Sequence, residues 1–157
     1  MQTLNLPNYP KKISERQGKP FIFDIVRRKN VALTPEEWVR QHFVNYLITE
    51  KHYPKERIAN EVTVSLNGMS RRCDTVVYNH YLEPIVIVEY KAPTVPITQE
   101  VFEQIKRYNL CLHVEILIVT NGMEHYCCRI DYKDAKVEYL NEIPEYAEII
   151  ISMNNEQ

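Results

Sequence analysis

In the stretch RRCDTVVYNHYLEPIVIVEYK, residues 71–91, Asp74, Glu89 and Lys91 have the types and spacing to do chemistry. The apolar run 85–88 reads as a buried strand, and Glu89-Tyr90-Lys91 closes it. Two carboxylates and a lysine gathered at the end of a buried strand are not what a core strand needs. Carboxylate oxygens, by one or two residues plus water and phosphate, are how Mg²⁺ is held. A metal so held activates water and neutralises charge in phosphodiester hydrolysis. A lysine beside it, its pKa lowered, can serve as a base.

The flanking elements must bring these residues together. Residues 57–66 (RIANEVTVSL) alternate as a strand, and Asn67-Gly68, both tolerant of positive φ, is a hairpin turn. The return strand carries Arg71, Arg72 and Asp74, and NHYLEP turns it into the apolar run, predicting a three-stranded meander. Equal offsets from the turn centre near Tyr81-Leu82 set Asp74 opposite Glu89. Two residues apart on one strand, Glu89 and Lys91 point to the same side.

Upstream, Thr34-Pro35-Glu36-Glu37 is a helix start: an N-cap threonine, a proline at the first position and a capping-box glutamate. The predicted helix carries Val39, Phe43, Tyr46 and Leu47 on one stripe and stops at Pro54. Glu37 is a candidate supporting residue for a metal site, although capping its own helix is the reading preferred for it. Downstream, prolines at 93 and 96 precede a second predicted helix over 98–112, with Val101, Ile105, Tyr108 and Leu112 on one stripe. The apolar run VEILIVT, 114–120, follows it, so this helix is a crossover that lets two buried strands pair in parallel. Segments 124–130 and 136–140 add further strands. The fold class is therefore α/β, a mixed sheet flanked by helices. One domain of 157 residues is expected, with a loosely ordered arm at 1–20, a core at 21–145 and a tail at 146–157.

Composition narrows the function. The net charge of −2 gives no support to a strong autonomous DNA binder. No secretory signal or membrane-length apolar run is evident, so a cytoplasmic protein without membrane attachment is expected. The four cysteines lack metal-ligand spacing and read as free thiols. A redox pair at Cys127-Cys128 is disfavoured, because neighbouring strand residues face opposite ways.

Asp74 followed by Glu89-Tyr90-Lys91 after an apolar strand resembles the PD-(D/E)XK nuclease superfamily, with Arg72-Cys73-Asp74 where the formal motif has a proline. Gln104-Ile-Lys-Arg-Tyr108 resembles the QxxxY motif of the branch containing RecB-like nucleases and type I restriction enzymes. Together with the capped helix and the preceding FDIVRRKNVALT, the chain from about residue 21 to 126 most resembles the N-terminal nuclease domain of type I restriction R subunits. The resemblance implies a restriction-endonuclease-like core. It also implies Mg²⁺, with Mn²⁺ as substitute, on Asp74, Glu89 and the Tyr90 backbone carbonyl. Lys91 would position or deprotonate water, Gln104 would bond that lysine or DNA, and Tyr108 would support the DNA side. No GxxxxGK[ST] loop occurs, so ATP-driven translocation is not expected of this chain, and restriction or repair subunits would supply targeting. The alternative is a non-catalytic module that keeps the fold to bind protein or nucleic acid. Each candidate also has a plainer explanation: Asp74 as an ion-pair partner of its arginines, Glu89 and Lys91 as a solvated strand end, Gln104 and Tyr108 as a helical i,i+4 pair.

Overall fold

The computed structural model describes residues 1–155. Strands β1 (Ile13–Arg16), β2 (Lys19–Asp24) and β3 (Lys29–Ala32) form a small antiparallel sheet, followed by helix α1 (Pro35–Thr49). A six-stranded sheet contains β4 (Ile58–Leu66), β5 (Met69–Tyr78), β6 (Pro84–Tyr90), β7 (Ile116–Thr120), β8 (His125–Asp131) and β9 (Lys136–Leu140), in that order. Helix α2 (Gln99–Asn109) joins β6 to β7, and α3 (Tyr146–Asn155) follows the last strand. All neighbours are antiparallel except β6 and β7, which run parallel as the crossover requires. Asn67 and Gly68 both take positive φ, 51° and 79°, in the two-residue turn that sets the β4–β5 register.

Two cores cover the sheet. On one face Phe43, Val39 and Leu47 of α1 meet Val86, Val88 and Ile118, with Ile22 of β2 and Ile149 of α3 joining the same cluster. On the other, Phe102 of α2 and Leu112 meet Val76, Ile87, Leu117 and Val119. Cys127 belongs to the first core and Cys128 to the second, and burial pushes their thiols up to about 12 and about 11. Both are free, and the strand separates them as its pleat dictates. Among the described residues, no helix is long and apolar enough to cross a membrane.

Several expectations need correction. The segment 1–20 is not a loose arm: Leu4 is buried, the Asn5 N–H donates to the Gly122 carbonyl at 2.8 Å, and β1 lies within this stretch. A Cβ on Gly122 would meet the end of the Leu4 side chain at 2.8 Å, and Gly122 takes φ 84°, so the arm packs directly on a turn whose conformation favours glycine. Of the tail, Tyr146–Asn155 form α3, held by Ile149 and by Tyr146 Oη donating to the Tyr78 carbonyl at 3.0 Å, and residues 156–157 lie outside the described residues. Helix α1 stops at Thr49 rather than at Pro54; His52 has φ 59°, outside the helical region. On α2 the buried positions are Phe102 and Asn109, while Tyr108 is 49 % exposed. The helix proper ends at Asn109, and Leu112 reaches the core from a 3-10 turn, so the extended stripe assumed for Tyr108 is broken.

At the start of α1, Thr34 Oγ1 accepts the Glu37 N–H at 3.1 Å. Thr34→Ala should cost about 1 kcal/mol, read as a lower urea midpoint at unchanged slope. The reciprocal half of the capping box is absent: the Thr34 N–H goes to the Ala32 carbonyl, and the Glu37 carboxylate turns inward to Arg27 and Arg40. Ion pairs with two guanidinium groups, one of them hydrogen-bonded, outweigh one neutral backbone N–H.

Candidate active site

The β5–β6 ladder ends at Thr75 opposite Val88, so the next rung sets Asp74 across from Glu89. There the strands part, and the Tyr90 N–H donates to Asp74 Oδ2 at 2.9 Å instead of to a backbone carbonyl. In an extended strand a residue's N–H and C=O share one side, which turns the Tyr90 carbonyl toward Asp74 as well. The β4–β5 ladder likewise skips a rung between Asn60–Thr75 and Val62–Cys73, and Glu61 takes φ 56°. For a non-glycine residue this conformation costs on the order of 1 kcal/mol or more. Glu61 is fixed there by Arg40 Nη2 on Oε1 at 2.5 Å and Arg72 Nε on Oε2 at 3.1 Å.

Glu89 is a carboxyl under stress. Burial, the Asp74 charge and a hydrogen bond between the two carboxyls push it up to about 9, with Lys91 and Asn109 pulling the other way. Its Oε1 is buried without a hydrogen-bond partner. Two abutting carboxyls, one with an unfilled acceptor, form an electrostatic deficit that a divalent cation relieves. Among the described residues no three His, Cys, Asp or Glu side chains converge on a point. A cation here would thus have Asp74, Glu89 and the Tyr90 carbonyl, with water and phosphate oxygens for the remainder. That all-oxygen, water-rich set suits Mg²⁺ and not structural zinc.

Beneath the pair lies a buried polar network. Arg40 Nη1 donates to the Asp74 carbonyl at 2.7 Å, its Nε lies 2.8 Å from Glu37 Oε2, and its guanidinium stands 5.5 Å from the Tyr90 ring centre. Tyr90 Oη donates to Thr75 Oγ1 at 2.9 Å, Thr75 donates to Asn60 Oδ1 at 2.7 Å, and Asn60 Nδ2 donates to Asp24 Oδ2 at 3.0 Å. Burial opposes the Asp24 charge, but the Arg27 and Asn60 hydrogen bonds prevail and hold the carboxyl below its usual range. Burial and the Thr75 bond act oppositely on Tyr90, and burial wins, keeping the phenol neutral. Both strands of the site are thereby tied to α1 and to β2.

The other candidates divide. Lys91 is half-buried, its N–H donates to the Thr120 carbonyl at 2.9 Å, and its ammonium acts on Glu89 without closing to an ion pair. Gln104 is exposed on α2 and makes no hydrogen bond to Lys91 or to any other described residue. Glu37 is engaged by Arg27, Arg40 and Gln41, and reaches Asp74 only through Arg40. Asn109, which the sequence reading passed over, stands beside Glu89, with its Nδ2 on the Ile105 carbonyl at 2.9 Å. Arg40 and Glu61 were missed too; the one available signal was the i,i+3 spacing of Glu37 and Arg40.

Comparison with known proteins speaks to the fold and the family. No curated protein sequence matches the chain significantly. Among solved structures, it resembles a fragment described as an HsdR subunit of a type I restriction enzyme from Vibrio vulnificus YJ016, with TM-score 0.51 and 21% identity. That alignment covers 78% of this chain and 26% of the fragment, and at this identity it speaks for the fold. Residues 35–144, which span α1 through the last strand and include every candidate residue, match the family described as type I restriction enzyme R protein N terminus (HSDR_N). The chain belongs to that family.

Proposed function

We propose that this domain is a Mg²⁺-dependent endonuclease that hydrolyses DNA phosphodiester bonds. The observation that carries the reading is the abutting Asp74–Glu89 pair with its buried, unpartnered Glu89 oxygen, two residues before Lys91. The family and the fold support it. Asp74, Glu89 and the Tyr90 carbonyl hold Mg²⁺, which when bound supplies Lewis-acid stabilisation of the phosphoryl oxygens. Lys91 orients the attacking water on the same side of β6 as Glu89. One P–O bond forms from that water as the bond to the leaving sugar oxygen breaks. Gln104, which is open to solvent, contacts the DNA in this reading. The partners are DNA and other restriction-modification subunits, which supply the targeting that a chain of net charge −2 does not.

Cleavage of supercoiled plasmid in Mg²⁺ is the test. Wild type should nick it, EDTA should stop it, and Asp74→Ala and Lys91→Ala should each lower the rate by about 100-fold or more, the scale of losing one transition-state contact. Equal background cleavage by all three proteins would sink the reading. So would the absence of Mn²⁺ binding by calorimetry, which is the behaviour of a non-catalytic binding module.

A further inference from the structure

Two adjacent arginines on β5 have opposite fates. Arg72 is paired with Glu61, its Nη2 3.1 Å from the carboxylate. Arg71 has no carboxylate partner among the described residues, yet it is held still. Its Nε donates to the Tyr108 carbonyl at 3.2 Å, its Nη1 donates to the Ser70 carbonyl at 2.8 Å, and its guanidinium carbon lies 4.6 Å from the Tyr108 ring centre. Immobilising a long side chain costs rotamer entropy, and no counter-charge among the described residues recovers it. Most of its N–H groups remain free. The ring beneath it is half exposed.

The position is as informative as the state. Arg71 precedes Asp74 by three residues on β5, about 10 Å of strand. Tyr108 is the neighbour of Asn109, which stands beside Glu89. The stacked pair therefore flanks the carboxylates from both the strand and the helix. Gln104, without a partner among the described residues, lies one helical turn before Tyr108. A pre-set, uncompensated guanidinium on an aromatic ring, next to a site for phosphodiester chemistry, is built to receive a planar or tetrahedral oxyanion.

We propose that Arg71, stacked on Tyr108, is a seat for a backbone phosphate of the nucleic-acid strand bound at Asp74 and Glu89. This rests on the nuclease reading and adds a named DNA contact to it. Arg71 positions the strand and takes no part in bond breaking.

Fluorescence anisotropy of a labelled duplex oligonucleotide, measured in EDTA so that nothing is cut, tests the seat. Arg71→Met should weaken binding about tenfold, the scale of one charge-assisted hydrogen bond, and flatten the salt dependence by about one unit of slope. Arg71→Lys should keep the slope but recover only part of the affinity, because an ammonium cannot stack as a plane. Calorimetric Mn²⁺ binding should be unchanged in both variants, showing that the carboxylate site is intact. Wild-type affinity and slope in Arg71→Met would overturn the proposal, as would undetectable binding by wild type. Displacement of the DNA by poly-glutamate as readily as by unlabelled DNA of equal charge would overturn it in favour of an acidic protein segment. The readout is independent of cleavage. A protein that fails to cut but shows the Arg71 effect removes the nuclease reading alone; one that cuts yet ignores Arg71→Met removes the seat alone.

Discussion

Glu89→Gln is expected to end metal-dependent cleavage and, at the same time, to make the metal-free protein more stable at pH 8. Glu89 is raised to about 9 by burial and by Asp74. A carboxyl whose folded pKa lies above its unfolded value contributes stability that is fully present below about pH 4.5, the ordinary glutamate value, and lost as pH climbs through about 9. The metal-free wild type should therefore lose stability, on the order of a few kcal/mol, between pH 5 and pH 9. Glutamine keeps the shape without the charge and should flatten that limb. Millimolar Mn²⁺ should reverse the order at pH 8, because a ligand bound only by the folded state raises its stability. Wild type should gain in Tm and Glu89→Gln should not. Scanning calorimetry from pH 5 to 9, with EDTA and with Mn²⁺, decides it. Parallel pH profiles for the two proteins, or an equal Mn²⁺ gain in both, would refute the assignment. The site thus gives up folding stability for a buried carboxyl pair whose charged form has a use only when a cation is present.

How much of this was legible in the sequence follows from which physics is local. The apolar runs that became β6 and β7, the Asn67-Gly68 turn and the Thr34 cap are short-range signals, and the structure realises each of them. Equal offsets from Tyr81-Leu82 find the Asp74–Glu89 rung, although the ladder shifts register between Val77 and Tyr78, a step no local signal announces. Arg40 could not be found that way. A helical arginine reads as a solvated position, but from Glu37 to Val44 every residue of α1 is buried, polar ones included. That burial on all sides comes from packing against parts of the chain distant in sequence. Tyr108 failed for a different reason: it lies within α2, but the buried face of that helix runs through Phe102 and Asn109, and Tyr108 stands off it. Leu4 and β1 were hidden because a polar, proline-bearing segment shows no pattern until Gly122 and Trp38 offer it a seat.

Arg40→Met should be the most damaging substitution that touches neither metal nor DNA. Burial opposes the Arg40 charge, but Glu37 and Glu61 prevail and raise its pKa, so the guanidinium is held as a cation by both carboxylates. Removing one partner of a buried ion pair costs about 3–5 kcal/mol; the lower figure applies here, because Glu37 keeps Arg27 and Glu61 keeps Arg72. The acid limb of the stability curve should change with it. Burial works against the Glu61 charge, yet the Arg40 bond and charge hold it below its usual range. Its stabilising share is therefore present above about pH 4.5 and lost as pH falls; without Arg40 that share is smaller and the acid limb correspondingly shallower. The functional effect has a separate cause. Arg40 supplies the donor to the Asp74 carbonyl, so its loss loosens the strand that aims the carboxylate. A supporting contact of this kind is worth about 10–100-fold in metal affinity. The double variant Glu37→Gln/Arg40→Met separates the two causes. Neutralising Glu37 should return part of the lost stability, measured by urea unfolding, and none of the lost Mn²⁺ affinity, measured by calorimetry. If metal affinity recovered together with stability, Arg40 would be acting only as a fold determinant; if Glu37→Gln alone weakened Mn²⁺ binding with Arg40 intact, the glutamate itself would belong to the metal site.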